Sequence, residues 1–300
     1  MRKIYQFDDP VRMVEARYGN MLYNQYCHWV GKALELYGEY CEHEMDLFRQ
    51  ILKPTDNVWE IGANTGSQSV GLAKMIPNEE FVGFEPQIEI YKIFCSNLTL
   101  NNCENARAMN IALADSETTT NGVENNNTFG GGGGQFIKTI LLPKMNYHAP
   151  NNFGGVSLLT DEKVSTSSGQ QSNIAVEIHS VDSLHYLPSP NFIKMDVEGM
   201  EAMVLNGARK TLAKTAPIMY IENDRIDKSK NLIELLWELE YDCYWHITPY
   251  YNPKNYFQNK HNIYGNTASF NMLCIPRSKG NINIQGMPKI TDANYHPLRR

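Results

Sequence analysis

The stretch Val58-Trp59-Glu60-Ile61-Gly62-Ala63-Asn64-Thr65-Gly66 constrains this chain more than any other. A short apolar run enters a turn holding two glycines. Apolar residues then recur at Val70, Leu72, Ala73, Met75 and Ile76 as far as Pro77, a helical spacing. The unit is therefore strand, glycine turn, helix. Upstream, Met45, Leu47, Phe48, Ile51 and Leu52 predict a helix from Glu42 that Pro54 ends. Downstream, Phe81 to Phe84 is a second strand run, and Glu85-Pro86 opens a helix with Ile88, Tyr91, Cys95 and Leu98 on one face.

The alternation continues. Met109 to Ala114 reads as a third strand, and Phe192 to Met195 as another that ends at Asp196. A helix is expected over Gly199 to Ala213, with Met200, Met203, Val204, Ala208 and Leu212 on one face. Ile218 to Ile221 is a buried-strand run, followed by a helix marked by Leu232, Leu235, Leu236 and Leu239. Tyr244 to Pro276 is expected to supply the last two strands. Strands alternating with helices predict an α/β fold: a doubly wound, mostly parallel sheet with helices on both faces.

Between these regular parts, residues 118–135 are rich in Thr, Asn and Gly, with five consecutive glycines at Gly130 to Gly134. No Lys-Ser/Thr follows them, so a loop is expected rather than a phosphate cradle. Gly154 to Leu159 and Ile174 to His179 are strand candidates flanking a second polar loop. The expected organisation is an N-terminal extension over 1–41, a catalytic domain over 42–276 with the insertion at 118–135, and a polar tail over 277–300.

In a doubly wound sheet, ligands bind beyond the carboxyl ends of the strands. Four polar clusters fall there. The first, Glu60 to Gly66, has the spacing E-x-G-x-x-x-G, with Gly62, Asn64 and Gly66 in the turn. Glycines allow a tight turn and a close ligand approach. A pyrophosphate needs bare amides at a helix end, whereas an acidic residue here suits a cationic or amino-bearing ligand. This is the pattern of S-adenosylmethionine sites, with Glu60 near the amino-acid end of the ligand. The second, Glu85, comes 19 residues after Gly66, and a carboxylate there accepts hydrogen bonds from both ribose hydroxyls. Asp115, after the third strand run, completes the expected cofactor-binding set.

The third cluster holds Asp196 and Glu198, candidates for a base toward a hydroxyl. The fourth holds Glu222, Asn223 and Asp224, candidate acceptor-binding residues, with Arg225 as an ion-pair partner. His246 is a further candidate base. Asp196, Glu198 and Glu222 are also candidate ligands for a divalent cation, because carboxylate oxygens suit Mg²⁺ or Ca²⁺. The bland alternative for these acids is helix capping.

With these residues in place, the chain resembles the FkbM-type family of S-adenosylmethionine-dependent methyltransferases. The resemblance rests on the Glu60 to Gly66 turn, Phe84-Glu85-Pro86, Ile193-Lys194-Met195-Asp196-Val197-Glu198-Gly199-Met200-Glu201, and Tyr220 to Arg225. Tyr37-Gly38-Glu39, Asn152-Phe153-Gly154 and Asn271 to Pro276 add to it, so it runs from about Arg17 to Pro276. It implies a Rossmann-like class I methyltransferase fold and methylation of a hydroxyl on a sugar or other small molecule. Glu60 stands where many members have Asp, and the insertion at 118–135 is not family-like.

Composition narrows the partners. Lys plus Arg is 27 and Asp plus Glu is 33, a formal charge of −6. Nucleic acids and anionic membranes favour basic surfaces, so neither is an expected partner. No run approaches the length of a membrane helix. The six cysteines show no C-x-x-C pair, and the expected compartment is the reducing cytoplasm. The Tyr- and Asn-rich stretch Tyr244 to Asn266 suits a carbohydrate acceptor. The aromatic residues of 1–41, among them Trp29, suit a cover for the pocket or a homo-oligomer contact. The competing classes are a nucleotide-dependent oxidoreductase on a related sheet, against which the absent G-x-G-x-x-G counts, and a binding protein with a decayed site.

Overall fold

The computed structural model describes residues 4–7, 9–115, 138–155, 173–280 and 285–299. The chain opens with β1 (Ile4–Gln6), β2 (Val11–Ala16) and β3 (Gly19–Asn24), an antiparallel sheet, and then α1 (Val30–Tyr37) and α2 (Glu42–Ile51). There follow β4 (Val58–Ile61), α3 (Ser69–Met75), β5 (Phe81–Phe84), α4 (Ile88–Leu100) and β6 (Ala106–Met109). Next come β7 (Ala112–Leu113), β8 (Thr139–Pro143), β9 (Asn173–His179) and β10 (Phe192–Met195). The last elements are α5 (Glu201–Asn206), α6 (Arg209–Thr215), β11 (Ile218–Glu222), α7 (Ile226–Glu238), β12 (Tyr241–Pro249) and β13 (Ala268–Pro276).

Among the described residues, seven strands form the central sheet in the order β12-β13-β11-β10-β4-β5-β6. Every neighbouring pair is parallel except the two that involve β13. The chain runs outward from β4 through β5 to β6 and returns to β10 on the other side of β4. The strand order therefore reverses between β4 and β10, and a crevice opens at their carboxyl ends.

Strand alternation sorts the side chains into two layers. Trp59, Val82, Ile193 and Met219 pack with Val204, Leu212 and Leu236 on one face. Val58, Phe81, Phe192 and Tyr220 pack with Phe48, Val70 and Phe94 on the other. Phe48 meets Tyr220 edge-on at 4.9 Å and Phe192 at 5.4 Å. Burial of each such ring contributes roughly 2 kcal/mol. The same alternation turns Glu60, which follows Trp59, toward α2 and α3.

The N-terminal sheet is fastened through Asn97 of α4. Its side chain accepts from Leu22 N (2.6 Å) and donates to Leu22 O (2.9 Å) and to Thr65 O (2.7 Å) in the glycine turn. Asn151 is clamped in turn by Tyr26 and His28. Among the described residues, no helix is long and apolar enough to cross a membrane.

Three expectations are corrected. The run expected as one strand over Met109 to Ala114 is split: β6 ends at Met109, and β7 leaves to pair with β9 in a small sheet. Asn110 makes the bend, donating to Glu85 O (2.8 Å) and Pro86 O (3.0 Å). The helix expected over Gly199 to Ala213 starts later and breaks into α5 and α6 at Gly207, where a Cβ would stand 2.3 Å from Ala114 O. Gly154 and Gly155 are not strand. Residues 156–159 and the insertion expected over 118–135 lie outside the described residues. The segment expected as a polar tail follows the edge of β12: Trp245 N donates to Pro288 O (3.0 Å) and Ile290 N to Cys243 O (2.8 Å), which buries Ile290, Ala293 and His296.

Candidate active site

The glycine turn is wedged between β5 and β10. Gly62 N and Ala63 N both donate to Phe84 O, at 3.0 and 2.9 Å, and Asp196 N donates to Ile61 O at 2.9 Å. Gly62 has φ +90°, and a Cβ there would lie 1.9 Å from Asp196 O. Gly66 has φ +76°, and its Cβ would meet Phe94 at 2.6 Å. Any larger residue forces the turn off its neighbours.

Glu85, 4 % exposed, closes the turn from β5. Its Oε2 accepts Asn64 N at 3.0 Å and its Oε1 accepts Gln87 N at 2.8 Å. A carboxylate has about four acceptor directions, so roughly half of its capacity is left for a ligand. Burial pushes its pKa up to about 7, against the pull of these two amides.

Glu60 is 1 % exposed. Its Oε2 takes the Ser69 hydroxyl, and its Oε1 stands 3.5 Å from Lys194 Nζ. Lys194 pairs with it across the β4–β10 register and lies 3.8 Å from Asp196 Oδ2. Burial alone would lower the Lys194 pKa, but the Glu60, Asp196 and Glu44 carboxylates outweigh it and hold the amine protonated. Glu44 is buried below, bonded to Gln68 Nε2 (3.0 Å) and Asn271 Nδ2 (2.9 Å).

The acidic end of the crevice is crowded. One oxygen each of Asp196, Glu198 and Glu222 lies within 4.8 Å of the other two. Glu198, in a left-handed conformation at φ +55°, is paired with Arg225. Burial raises its pKa to about 8, helped by the Asp196 charge and opposed by Arg225. Burial, then the Asp196 and Asp224 charges, pushes Glu222 well above the carboxylate range. Its Oε2 is sealed from solvent without a hydrogen-bond partner. Arg225 Nε is 3.3 Å from Asp224 Oδ1 but not aligned for a hydrogen bond.

The glycine turn, Lys194 and the acids at the strand ends border one cavity of about 610 Å³. It is lined by Glu60, Gly62, Asn64, Glu85, Asp196, Glu198, Glu222 and Asp224, eight of the residues singled out from sequence. The other four do not line it. Gly66 serves the turn. Asp115 lies against Gly207. Asn223 turns its amide to Met272 Sδ at 3.3 Å. His246 bonds Tyr220 Oη at 2.8 Å on the α2 side of the sheet, and burial lowers its pKa to about 4.

Sequence reasoning missed other parts of the site. Lys194 was legible only as one letter of a motif. Ile61, Phe84, Ile111, Leu113, Val197 and Met200 supply the apolar walls of a slot that Glu85, Gln87, Asp196 and Glu198 also line. Asn152, Gly154 and Gly155 form a wall held by Phe153, whose O accepts Gln87 Nε2 at 2.8 Å. Tyr40 also lines the cavity, beside Trp29 of the stretch expected to cover the pocket and Tyr250 of the stretch expected to suit an acceptor. Trp29 stacks on Tyr264 at 5.1 Å.

The methyltransferase FkbM domain model matches residues 60–243. The structure is similar to that of the precorrin-6y C5,15-methyltransferase from Geobacter metallireducens GS-15, at 12% identity over 78% of this chain and 85% of that one, TM-score 0.45. It is also similar to the methyltransferase FkbM from Methylobacillus flagellatus KT, at 16% identity, 74% and 44% coverage and TM-score 0.42; this chain spans under half of that protein. The SAM-dependent O-methyltransferase from Thermotoga maritima is similar at 10% identity, 88% and 77% coverage and TM-score 0.45. No curated protein matches the sequence.

Proposed function

Since the chain belongs to the FkbM family of S-adenosylmethionine-dependent methyltransferases, we propose that its cavity serves methyl transfer to a hydroxyl oxygen of a sugar or other small molecule. The observation that carries this reading is that Glu60 and Glu85, from adjacent strands, line one open cavity with the glycine turn between them.

The residues fit the donor. The apolar slot beside Glu85 suits an adenine ring. The unused acceptor directions of Glu85 suit a ribose diol, and Glu60 suits an α-ammonium. Gly62 leaves the backbone approachable where a side chain would intrude. When bound, S-adenosylmethionine supplies an electrophilic methyl on a sulfonium that leaves as a neutral thioether.

The chain's own work is orientation and proton transfer. Holding the acceptor oxygen about 3 Å from the methyl carbon accounts for several kcal/mol of the barrier. As the new C–O bond forms, the hydroxyl proton passes to Asp196, which faces the cavity; such a base is typically worth ~10²–10⁴ in rate. Trp29, Tyr40 and Tyr250 offer ring faces, and Asn266 an amide, for a sugar acceptor. The formal charge of −6 and the cavity carboxylates disfavour a phosphate-bearing acceptor.

Asp196, Glu198 and Glu222 also form an oxygen donor set suited to Mg²⁺ or Ca²⁺. The orphaned Glu222 oxygen fits that role, and calorimetric titration of chelator-treated protein with each ion tests it.

The function is tested by screening sugars and glycosides with labelled donor, followed by product mass spectrometry. O-methylated product is expected. Asp196→Asn is expected to bind S-adenosylhomocysteine normally and to lose most turnover; full turnover would remove Asp196 as the base.

A further inference from the structure

Lys194 and Arg225 both line this cavity, and Lys194 is 4 % exposed. Lys194 stands on β10 beside Glu60 of β4, with Nζ 3.5 Å from Glu60 Oε1. The other charged neighbours of Lys194 are Asp196, at 3.8 Å just past the end of β10, and Glu44 from α2. The Cys41 thiol faces it as well. Glu60 is thus gripped through both oxygens, by Ser69 of α3 on one and Lys194 on the other. A carboxylate with 1 % exposure does not stay charged without such a counter-ion, because desolvation disfavours the isolated anion. A neutral acid in the same place has no charge to offer an ammonium group.

We propose that Lys194 is the positioning residue of the donor's amino-acid subsite: it holds Glu60 aimed and charged, so that Glu60 accepts the donor's α-ammonium. The proposal rests on reading the cavity as the S-adenosylmethionine site. It explains why a buried lysine lines a site for a cationic donor. The lysine charge is shared between Glu60 and Asp196, and with one partner on each oxygen Glu60 keeps about half of its acceptor directions for the ligand.

Two ligands isolate the effect. S-adenosylhomocysteine carries the amino-acid tail, and 5′-methylthioadenosine keeps adenine, ribose and sulfur but lacks that tail. Calorimetry gives the affinity ratio of the two for the full-length protein and for Lys194→Met and Lys194→Arg. The ratio is expected to fall at least about tenfold in Lys194→Met, the size of one lost charge-assisted hydrogen bond, and to recover to within about threefold in Lys194→Arg. Equal weakening of both ligands would show a merely structural lysine and overturn the proposal, as would an unchanged ratio. Lys194→Gln replaces the Met variant if that one does not fold. Absence of binding of either ligand to the unaltered protein would instead remove the donor reading itself.

Discussion

Asn64 donates its backbone N–H to the Glu85 carboxylate at 3.0 Å, and this bond joins the glycine turn after β4 to the end of β5. Two features far apart in the chain thereby become one surface. The same carboxylate also caps the start of α4 through Gln87 N. Its remaining acceptor capacity opens into the cavity, so the group that shapes the turn is also the group a ribose would meet.

Glu85→Gln keeps the size of the side chain and removes its charge. Hydrogen bonds to charged groups contribute about 1.5–3 kcal/mol, so the Kd for S-adenosylhomocysteine should rise roughly 10- to 100-fold. Titration calorimetry measures it, and an unchanged Kd would contradict the ribose role.

Donor affinity should depend on pH through the same residue. Glu85 titrates at about 7 in the fold because burial disfavours its charged form. Ribose hydroxyls donate best to the ionised form, so affinity should rise as pH passes upward through about 7, with proton release on binding. Stability runs the other way. The folded chain holds this proton to higher pH than the unfolded chain, whose value is near 4.5. The Glu85 contribution to stability is therefore full below 4.5 and declines as pH rises toward 7. Glu85→Gln should flatten the binding profile in calorimetry across pH 6 to 8.

Gly62→Ala should damage the fold at the site. The new Cβ meets Asp196 O at 1.9 Å, and the backbone sits at φ +90°. Strain at such positions costs of order 1–3 kcal/mol, before the steric contact is added. A Tm lower by several degrees in thermal unfolding is the expected outcome, and an unchanged Tm would contradict a turn packed tightly against Asp196 O.

His246→Ala should affect stability and spare chemistry. The ring bonds Tyr220 Oη at 2.8 Å and lies outside the cavity lining. Loss of that buried bond should cost about 1–3 kcal/mol in denaturant unfolding. Turnover per folded molecule should stay within a factor of about two, since a general base would be worth ~10²–10⁴.

Much of the site was legible in local sequence. The strand-turn-helix unit at Glu60 to Gly66 needs only apolar spacing and two glycines to be recognised, and the acids at the ends of β5, β10 and β11 mark strand ends wherever they pack. Gly207 and Asn110 show where local reading stops. A helical pattern runs through Gly207, but the Gly207 carbonyl accepts Asp182 N at 2.9 Å and a Cβ there would stand 2.3 Å from Ala114 O, so two helices meet at this point. A strand pattern runs through Asn110, but its bonds to the β5 end bend the chain.

The amino-acid order alone determined the alternating architecture, the glycine turn and which carboxylates stand at strand ends, because periodicity and turn chemistry act over a few residues. Only the tertiary structure decided which of those carboxylates share a cavity, that Lys194 lies against Glu60, and that His246 and Asn223 face elsewhere. Those facts depend on strand order and register, which bring β4 beside β10 across more than a hundred residues of chain, and no local pattern encodes that pairing.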